Sequence, residues 1–181
     1  MKSGYADKPV VFVSTQDAQR FANWINNGQG AGDTETGAYA VGNLAVHGGL
    51  ANVWIPTENE WYKAAYYQPQ GAGGDTDSYW LYPTTSNTLP TSATSPSVIT
   101  GAANIYNNDG IANGINGGYA VTQSTSFVGV TAYLTDVGSY SNSASYYGTF
   151  DQGGNVWEWN EAIIGGTDRG VRGSNWDVGA N

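Results

Sequence analysis

The sequence predicts an α+β domain in which two short helices and several short strands are joined by a large amount of coil. Two segments show helix-type spacing of apolar residues after a Ser or Thr cap, and short β-branched or aromatic runs alternate with Gly- and Asn-rich stretches. Only 12% of the 181 residues are charged, whereas glycine (26), tyrosine (13) and tryptophan (7) are abundant. This composition is typical neither of a helical bundle nor of a disordered tail.

The length and charge of the chain limit its organisation and its partners. We expect residues 1–181 to form a single domain, because the chain suffices for one core and shows no linker or repeat. Six basic residues against 15 acidic ones give a net charge of −9. The basic residues do not cluster, so we expect no nucleic-acid partner. The acidity is compatible with both cation binding and solubility.

The first helix is predicted to begin after Ser14, with Asp17 completing a capping box, and to end at residues 26–28. Its apolar face is predicted to contain Ala18, Phe21, Ala22 and Ile25.

The second helix is predicted to begin after Thr57, with Glu60 three positions later, and to stop before Pro69. Its inward-facing residues are predicted to be Trp61, Ala64 and Ala65.

Strands are predicted wherever short β-branched or aromatic runs occur. These runs are residues 9–13, 127–134, 137–140, 155–159 and 170–172. Residues 84–125 show no sustained period and are predicted to be a long polar loop, which in a compact domain is usually functional or held by a ligand.

The stretch DQGGNVWEW at residues 151–159 carries the most informative pattern. It sets two carboxylates, Asp151 and Glu158, seven positions apart around a Gly-Gly turn. Calcium takes about six to eight oxygen ligands, and glycines allow backbone carbonyls to turn inward. The spacing alone leaves two interpretations open, a calcium-binding turn and an acidic turn beside tryptophans that binds no metal.

This stretch resembles the GNVWEW signature of the formylglycine-generating-enzyme (sulfatase-modifying factor) family, a variant of the C-type lectin fold. Three further blocks are similar to family motifs and occur in the family's order: VVFVSTQDA at 10–18, IPTENEWYKAA at 55–65 and RGSNW at 172–176. The resemblance implies the family's fold. It also suggests that the chain lacks the family's usual N- and C-terminal strands.

The resemblance implies structural calcium at two positions. The first position would use the side chains of Asp151 and Glu158 with the carbonyls of Gly154 and Val156, and the second would use Asn104 and Ile105. The remaining ligands of the second position lie where the match to the family fails.

The resemblance argues against catalysis by this chain. The family's enzyme oxidises a substrate cysteine with two of its own cysteines, and this sequence contains none, so we predict no catalytic residue. His47, the only histidine, is interpreted as a loop residue. Glycosidases use pairs of carboxylic acids, and Glu58 with Glu60 or Glu158 with Glu161 could form such a pair. Glu58 and Glu60, however, lie in the first turn of a predicted helix, where carboxylates favour the helix dipole, and Glu158 belongs to the metal motif.

Arg172 and the aromatic residues each have two possible roles. Arg172 either pairs with an acidic side chain such as Glu158 or Asp168, or lines a binding surface. Trp157 and Trp159 alternate in sequence, so one is expected to face the core. The tyrosines either form an exposed recognition surface or serve as core edges.

We therefore predict a non-catalytic, calcium-stabilised extracellular domain that binds a carbohydrate or protein ligand through residues the sequence does not identify. We expect a secreted or cell-surface bacterial protein, without a membrane span because no apolar run approaches about 18–20 residues. The alternatives are a structural subunit of a surface assembly, in which the chain self-associates, and a metal-dependent oxidoreductase of the same family.

Overall fold

The structure is a computed structural model that describes residues 4–129 and 132–179. It contains two helices, six short strands, one 3₁₀ turn at Gln70–Ala72 and a high proportion of coil, which is the predicted α+β class. The elements in chain order are α1 (Thr15–Asn26), α2 (Glu58–Tyr66), β1 (Thr91–Ser92), β2 (Ala102–Ala103), β3 (Tyr106–Asn108), β4 (Gly117–Tyr119), β5 (Glu158–Ile164) and β6 (Asp168–Arg172).

Both helices begin as predicted. Ser14 and Asp17 form a reciprocal capping box at α1, and Asn27 is its C-cap. At α2 the Thr57 backbone N–H donates to the Glu60 carboxylate at 2.9 Å, and the Glu60 N–H donates to the Thr57 hydroxyl at 3.3 Å. The last helical residue, Tyr66, lies three positions before Pro69.

The buried face of α1 agrees with the prediction only in part: Ala22 is buried and Ala18 packs on the same core. Phe21 is 61% exposed, whereas Gln19 and Asn23 are fully buried. The Gln19 amide exchanges two hydrogen bonds of 3.0 Å with the backbone of Gly42, and the Asn23 amide exchanges two, of 2.7 and 3.0 Å, with the backbone of Tyr39. Helix α1 therefore holds an irregular loop through polar side chains. Side-chain amides can be buried when their hydrogen bonds are formed, and the spacing of hydrophobic residues does not predict such burial.

The strand predictions were largely wrong in position. The strands pair only two by two: β1 with β2 in parallel, β3 with β4 antiparallel, and β5 with β6. The first four lie inside residues 84–125, which were predicted to be loop. Residues 9–13 and 137–140 form no strand, and the described part of 127–134 forms none, residues 130 and 131 being outside the described residues. The strand predicted at 155–159 begins at Glu158, whereas the prediction at 170–172 is confirmed within β6.

The chain divides into two compact units. Unit 2 comprises Val10–Trp61 and Trp159–Arg172, and its core contains Ala22, Ala38, Tyr39 and Ile55. Unit 1 comprises Met1–Pro9, Tyr62–Glu158 and Gly173–Asn181, and its core contains Ala93, Ala102 and Tyr140.

Unit 1 also contains an aromatic cluster, in which ring centroids lie 4.7–6.2 Å apart. Its members are Tyr106, Tyr119, Phe127, Tyr133 and Trp176. Aromatic rings therefore supply much of the packing in a unit with very short strands.

Candidate functional site

The Gly-Gly turn of the DQGGNVWEW stretch is tightly packed within unit 1. A Cβ atom at Gly153 would lie 2.7 Å from Cγ of Pro83. A Cβ atom at Gly154, where φ is +100°, would lie 2.4 Å from the carbonyl oxygen of Asn104 and 2.7 Å from Cγ2 of Ile105. Neither position has room for a larger residue, so the chain requires glycine here.

The structure brings together two segments that the sequence assigned to separate calcium positions. The Asn155 N–H donates to the Asn104 carbonyl at 2.8 Å, and the Asn104 amide nitrogen donates to Asn155 Oδ1 at 3.0 Å and to the Tyr133 carbonyl at 2.8 Å. Asn104 and Asn155 are each 2% exposed and Ile105 is 1% exposed. Asn155, which the sequence did not single out, thus links these segments, and the Asn104 carbonyl is engaged within the protein.

Asp151 lies at the start of the turn with a left-handed backbone (φ +60°) and is partly buried. Its Oδ2 atom accepts a hydrogen bond from the Gly138 N–H at 2.7 Å. Burial raises the pKa of the Asp151 carboxyl above its ordinary value, and the Gly138 hydrogen bond opposes that effect. Within the described residues, no ion pair includes Asp151.

The other predicted ligands of the first position lie further along the same segment. Gly154 is buried, Val156 is partly buried, and Glu158 is the partly buried first residue of β5. Across residues 4–129 and 132–179, no three His, Asp or Glu side chains converge closely enough to hold a metal ion. Any cation here would therefore need neutral oxygen ligands in addition to carboxylates.

Asp151 also lines a small cavity of about 10 Å³ in unit 1, close to the smallest volume that holds one water molecule. The other lining residues are Pro83, Thr84, Ala102, Ala103, Tyr140, Ser143, Gln152 and Gly153. Thr84 and Ser143 are 5% and 6% exposed, and their buried hydroxyls hydrogen bond to no described group. A cavity of this size, lined by a carboxylate and by two residues with unpartnered hydroxyls, suits a single water molecule.

A second polar network, which the sequence did not predict, lies in unit 2 around Glu161. This carboxylate accepts hydrogen bonds from the Tyr39 hydroxyl at 2.5 Å, from the backbone N–H of His47 at 3.0 Å and from the ring Nδ1 of His47 at 2.8 Å. The imidazole of His47 stacks on Trp54 with ring centroids 4.8 Å apart. His47 remains a loop residue, as predicted, but Glu161 and Trp54 fix its ring.

Arg169 extends this network and holds the loop before His47 in place through hydrogen bonds. Arg169 is 8% exposed, and its guanidinium donates to three backbone carbonyls, those of Asn43, Ala45 and Glu161. Tyr39 in turn accepts a hydrogen bond from the Ile55 N–H at 2.9 Å. Because these donors and acceptors are paired over long sequence separations, no local pattern could have revealed the network.

Arg172 forms an ion pair with Glu58, and the other carboxylate oxygen of Glu58 accepts from the Asn160 amide at 2.7 Å. The prediction that Arg172 pairs with an acidic side chain is confirmed, but Glu58 is neither of the two partners that were named as examples, Glu158 and Asp168. Trp159 packs on the unit 2 core and donates from Nε1 to the Val13 carbonyl at 3.2 Å.

Tyrosines form a continuous surface of unit 1, which we call the tyrosine surface. It consists of Tyr62, Tyr66, Tyr67, Tyr79, Tyr146 and Tyr147, with neighbouring ring centroids 4.8–6.5 Å apart. Tyr62, Tyr146 and Tyr147 are 44–48% exposed, and the Lys63 ammonium lies 5.7 Å from the Tyr67 ring centroid and 5.9 Å from the Tyr147 ring centroid. An exposed aromatic surface of this kind is typical of recognition sites.

These features define a cysteine-free α+β protein whose Gly-Gly turn lies beside a small cavity lined in part by Asp151. The family model of the sulfatase-modifying factor enzyme 1-like domain matches residues 1–177, and the chain therefore belongs to that family. This match confirms the resemblance that the four sequence motifs indicated. No curated protein and no solved structure matches the chain. Neither helix of the described residues is long and apolar enough to cross a membrane.

Proposed function

We propose that this protein is a non-catalytic, calcium-stabilised binding domain that acts outside a bacterial cell. The main support is the partly buried Asp151 carboxylate, which no described cation neutralises, at a turn that Gly153 and Gly154 pack tightly against neighbouring segments. Buried charges in proteins are paired or coordinate metals, and calcium prefers oxygen ligands. When bound, calcium would neutralise this carboxylate and hold the surrounding loops together.

The residue content of the chain supports a role other than catalysis. All 181 residues lack cysteine, so the thiolates that the family's enzyme needs for copper and for redox chemistry are missing. The Nδ1 atom of His47, the only histidine, is engaged by Glu161. The proposed activity is therefore binding.

The tyrosine surface is the best candidate for the ligand contact, with a protein or a carbohydrate as the ligand. Tyrosine combines an apolar ring with a hydroxyl, so it contributes large contact area and hydrogen bonds with little loss of side-chain entropy. Lys63 is held over two of the rings and gives this surface a positive charge within an otherwise acidic chain.

Calcium removal tests the proposal. At a free calcium concentration about 100 times Kd, binding to the native state would add about 2.7 kcal/mol, which corresponds to roughly 5–10 °C in Tm for a protein of this size. We expect EDTA to lower Tm by this amount and added calcium to restore it. An unchanged Tm in EDTA, with no calcium detected in the purified protein by elemental analysis, would refute the proposal. Copper or iron in place of calcium would favour the oxidoreductase alternative.

A structural subunit of a surface assembly is the second candidate. Among the described residues β5 and β6 pair only with each other, and Ile163, Ile164 and Val171 in them are 40–58% exposed, so these two strands offer a surface for pairing with another chain. Val10 and Phe12 are 77% and 103% exposed, which adds apolar surface in unit 2. Light scattering across a concentration series separates the candidates, because a binding module stays monomeric and an assembly subunit grows in mass.

A further inference from the structure

We infer that an open cavity in unit 2 is a binding site for an uncharged sugar. The cavity has a volume of about 420 Å³, within the range of about 300–1,000 Å³ that is typical of small-molecule sites. Its described lining residues are Asn26, Asn27, Gly37, Ala38, Gly48, Gly49, Leu50, Ala51 and Asn52. All nine belong to unit 2, whereas the tyrosine surface and the cavity beside Asp151 belong to unit 1, so this site goes beyond the proposed function.

The first observation is that the wall of the cavity carries hydrogen-bonding groups but no charge. None of the nine lining residues is acidic, basic or aromatic, and three of them are asparagines. The cavity lies at the C-terminal end of α1, whose C-cap is Asn27 and whose last turn contains no basic residue, so the negative end of the helix dipole disfavours an anion. A cation would find no carboxylate among the nine residues. The wall therefore suits an uncharged polar ligand.

The second observation is that the fold leaves some of these polar groups unused. The side-chain amide of Asn52 makes no hydrogen bond within the described residues, although the Asn52 backbone N–H donates to Asn26. The amide nitrogen of Asn27 donates to the carbonyls of Asp33 and Thr36, whereas its Oδ1 atom accepts no hydrogen bond from a described group. A side-chain amide both donates and accepts hydrogen bonds, as a sugar hydroxyl does, so the two kinds of group are complementary.

The third observation is that hydrogen bonds hold the walls in place. The Gly48 N–H donates to the Ala38 carbonyl at 2.8 Å. The Asn26 amide nitrogen donates to the Val53 carbonyl at 2.6 Å, and the Asn26 Oδ1 atom accepts from the Asn52 N–H at 2.7 Å. These bonds connect the end of α1 to the chain segment at residues 52–53, and that at residue 38 to residue 48. The cavity is therefore formed before a ligand arrives, and binding needs little reorganisation.

Leu50 adds an apolar contact to this polar site. It lines the cavity and is 97% exposed. A sugar presents C–H groups beside its hydroxyls, and covering an exposed leucine with such groups removes apolar surface from water, which stabilises the complex.

NMR titration of the full-length protein in the presence of calcium tests the inference. The neutral probes are methyl glucoside, methyl mannoside, methyl galactoside and N-acetylglucosamine, and the charged probes are glucuronate and glucosamine. We expect at least one neutral sugar to cause saturable shifts of the amide signals of Gly48, Gly49 and Asn52. The charged sugars should bind at least about fivefold more weakly than the best neutral one, since no lining group neutralises them.

Two variants with matched controls locate the binding. Asn52→Ala removes the unbonded amide, and Gln29→Ala is its control, because Gln29 is also exposed and its side chain makes no hydrogen bond to a described group, but it does not line the cavity. Gly49→Leu adds a side chain at a lining position where a Cβ atom meets nothing within 4 Å, and Gly71→Leu makes the same change in equally open space outside the cavity. We expect the cavity variants to weaken sugar binding at least about fivefold and the controls less than about twofold.

The inference would be overturned if none of the four neutral sugars shifts the signals of the lining residues. Equal binding by the cavity variants and their controls, or charged sugars that bind as tightly as neutral ones, would also overturn it. Shifts confined to the tyrosine surface would do the same while supporting a carbohydrate ligand there. The calcium-dependent function is decided separately, because the effect of EDTA on Tm is measured without sugar. If circular dichroism shows that Gly49→Leu does not fold, the comparison of Asn52→Ala with Gln29→Ala decides the matter.

Discussion

Replacing Gly154 with alanine should destabilise unit 1 far more than a glycine substitution normally does. The backbone at this position has φ +100°, which costs an L-residue about 1–2 kcal/mol. The new Cβ would lie 2.4 Å from the Asn104 carbonyl oxygen, and relieving such an overlap costs about 1–3 kcal/mol more. We therefore expect Gly154→Ala to lower the free energy of unfolding by about 3 kcal/mol.

Two control substitutions in the same unit separate the two costs. Gly148 has φ +77°, and a Cβ atom added there would meet no other atom within 4 Å, so Gly148→Ala should show the backbone cost alone, about 1–2 kcal/mol. Gly71 has neither a positive φ nor a neighbour within 4 Å, so Gly71→Ala should be nearly neutral. Urea unfolding followed by tryptophan fluorescence, with and without calcium, measures all three. A Gly154→Ala variant no less stable than Gly148→Ala would refute the close packing of the turn.

Two further predictions concern unit 2 and α2. Tyr39→Phe removes the hydroxyl that accepts from the buried Ile55 N–H, so we expect a loss of about 1–3 kcal/mol in chemical unfolding, whereas Tyr62→Phe on the exposed surface should be neutral within about 0.5 kcal/mol. The Thr57 backbone N–H is the main cause that lowers the pKa of Glu60 in the folded protein. The ionised Glu60 carboxylate therefore stabilises the fold at pH values above the ordinary pKa of glutamate, and this stabilisation is lost as the pH falls through the lowered pKa of the folded state. Thermal unfolding from pH 7 to pH 3 should show this loss in the wild type and a smaller one in Glu60→Gln; equal pH profiles would contradict it.

The helices could be predicted from sequence because their signals are local. A capping box needs only two residues three positions apart, and it occurs at Ser14/Asp17 and at Thr57/Glu60. The buried face of α1 was predicted less well, since Gln19 is buried through hydrogen bonds to Gly42, 23 positions away. Hydrophobic spacing carries no information about such partners.

The strands could not be placed from sequence for a related reason. Strands β1 and β2 have two residues each and β3 and β4 have three each, so no alternating pattern is long enough to be recognised. The exposed run at residues 10–13 has the composition of a strand, yet the described structure gives it no pairing partner and Phe12 adopts φ +60°. Strand formation depends on a neighbour, which composition does not reveal.

The sequence by itself determined the family, the loop-rich α+β class, the two capped helices and the absence of thiolate chemistry, because motifs, caps and residue content are properties of the chain alone. Only the tertiary structure decided which polar groups meet. It joined Asn104 to Asn155, surrounded Glu161 with Tyr39 and His47, and placed Thr84 and Ser143 among the residues that line the cavity beside Asp151. The physical reason is that burial and hydrogen bonding between distant segments depend on how the coil is folded back, which local sequence does not encode.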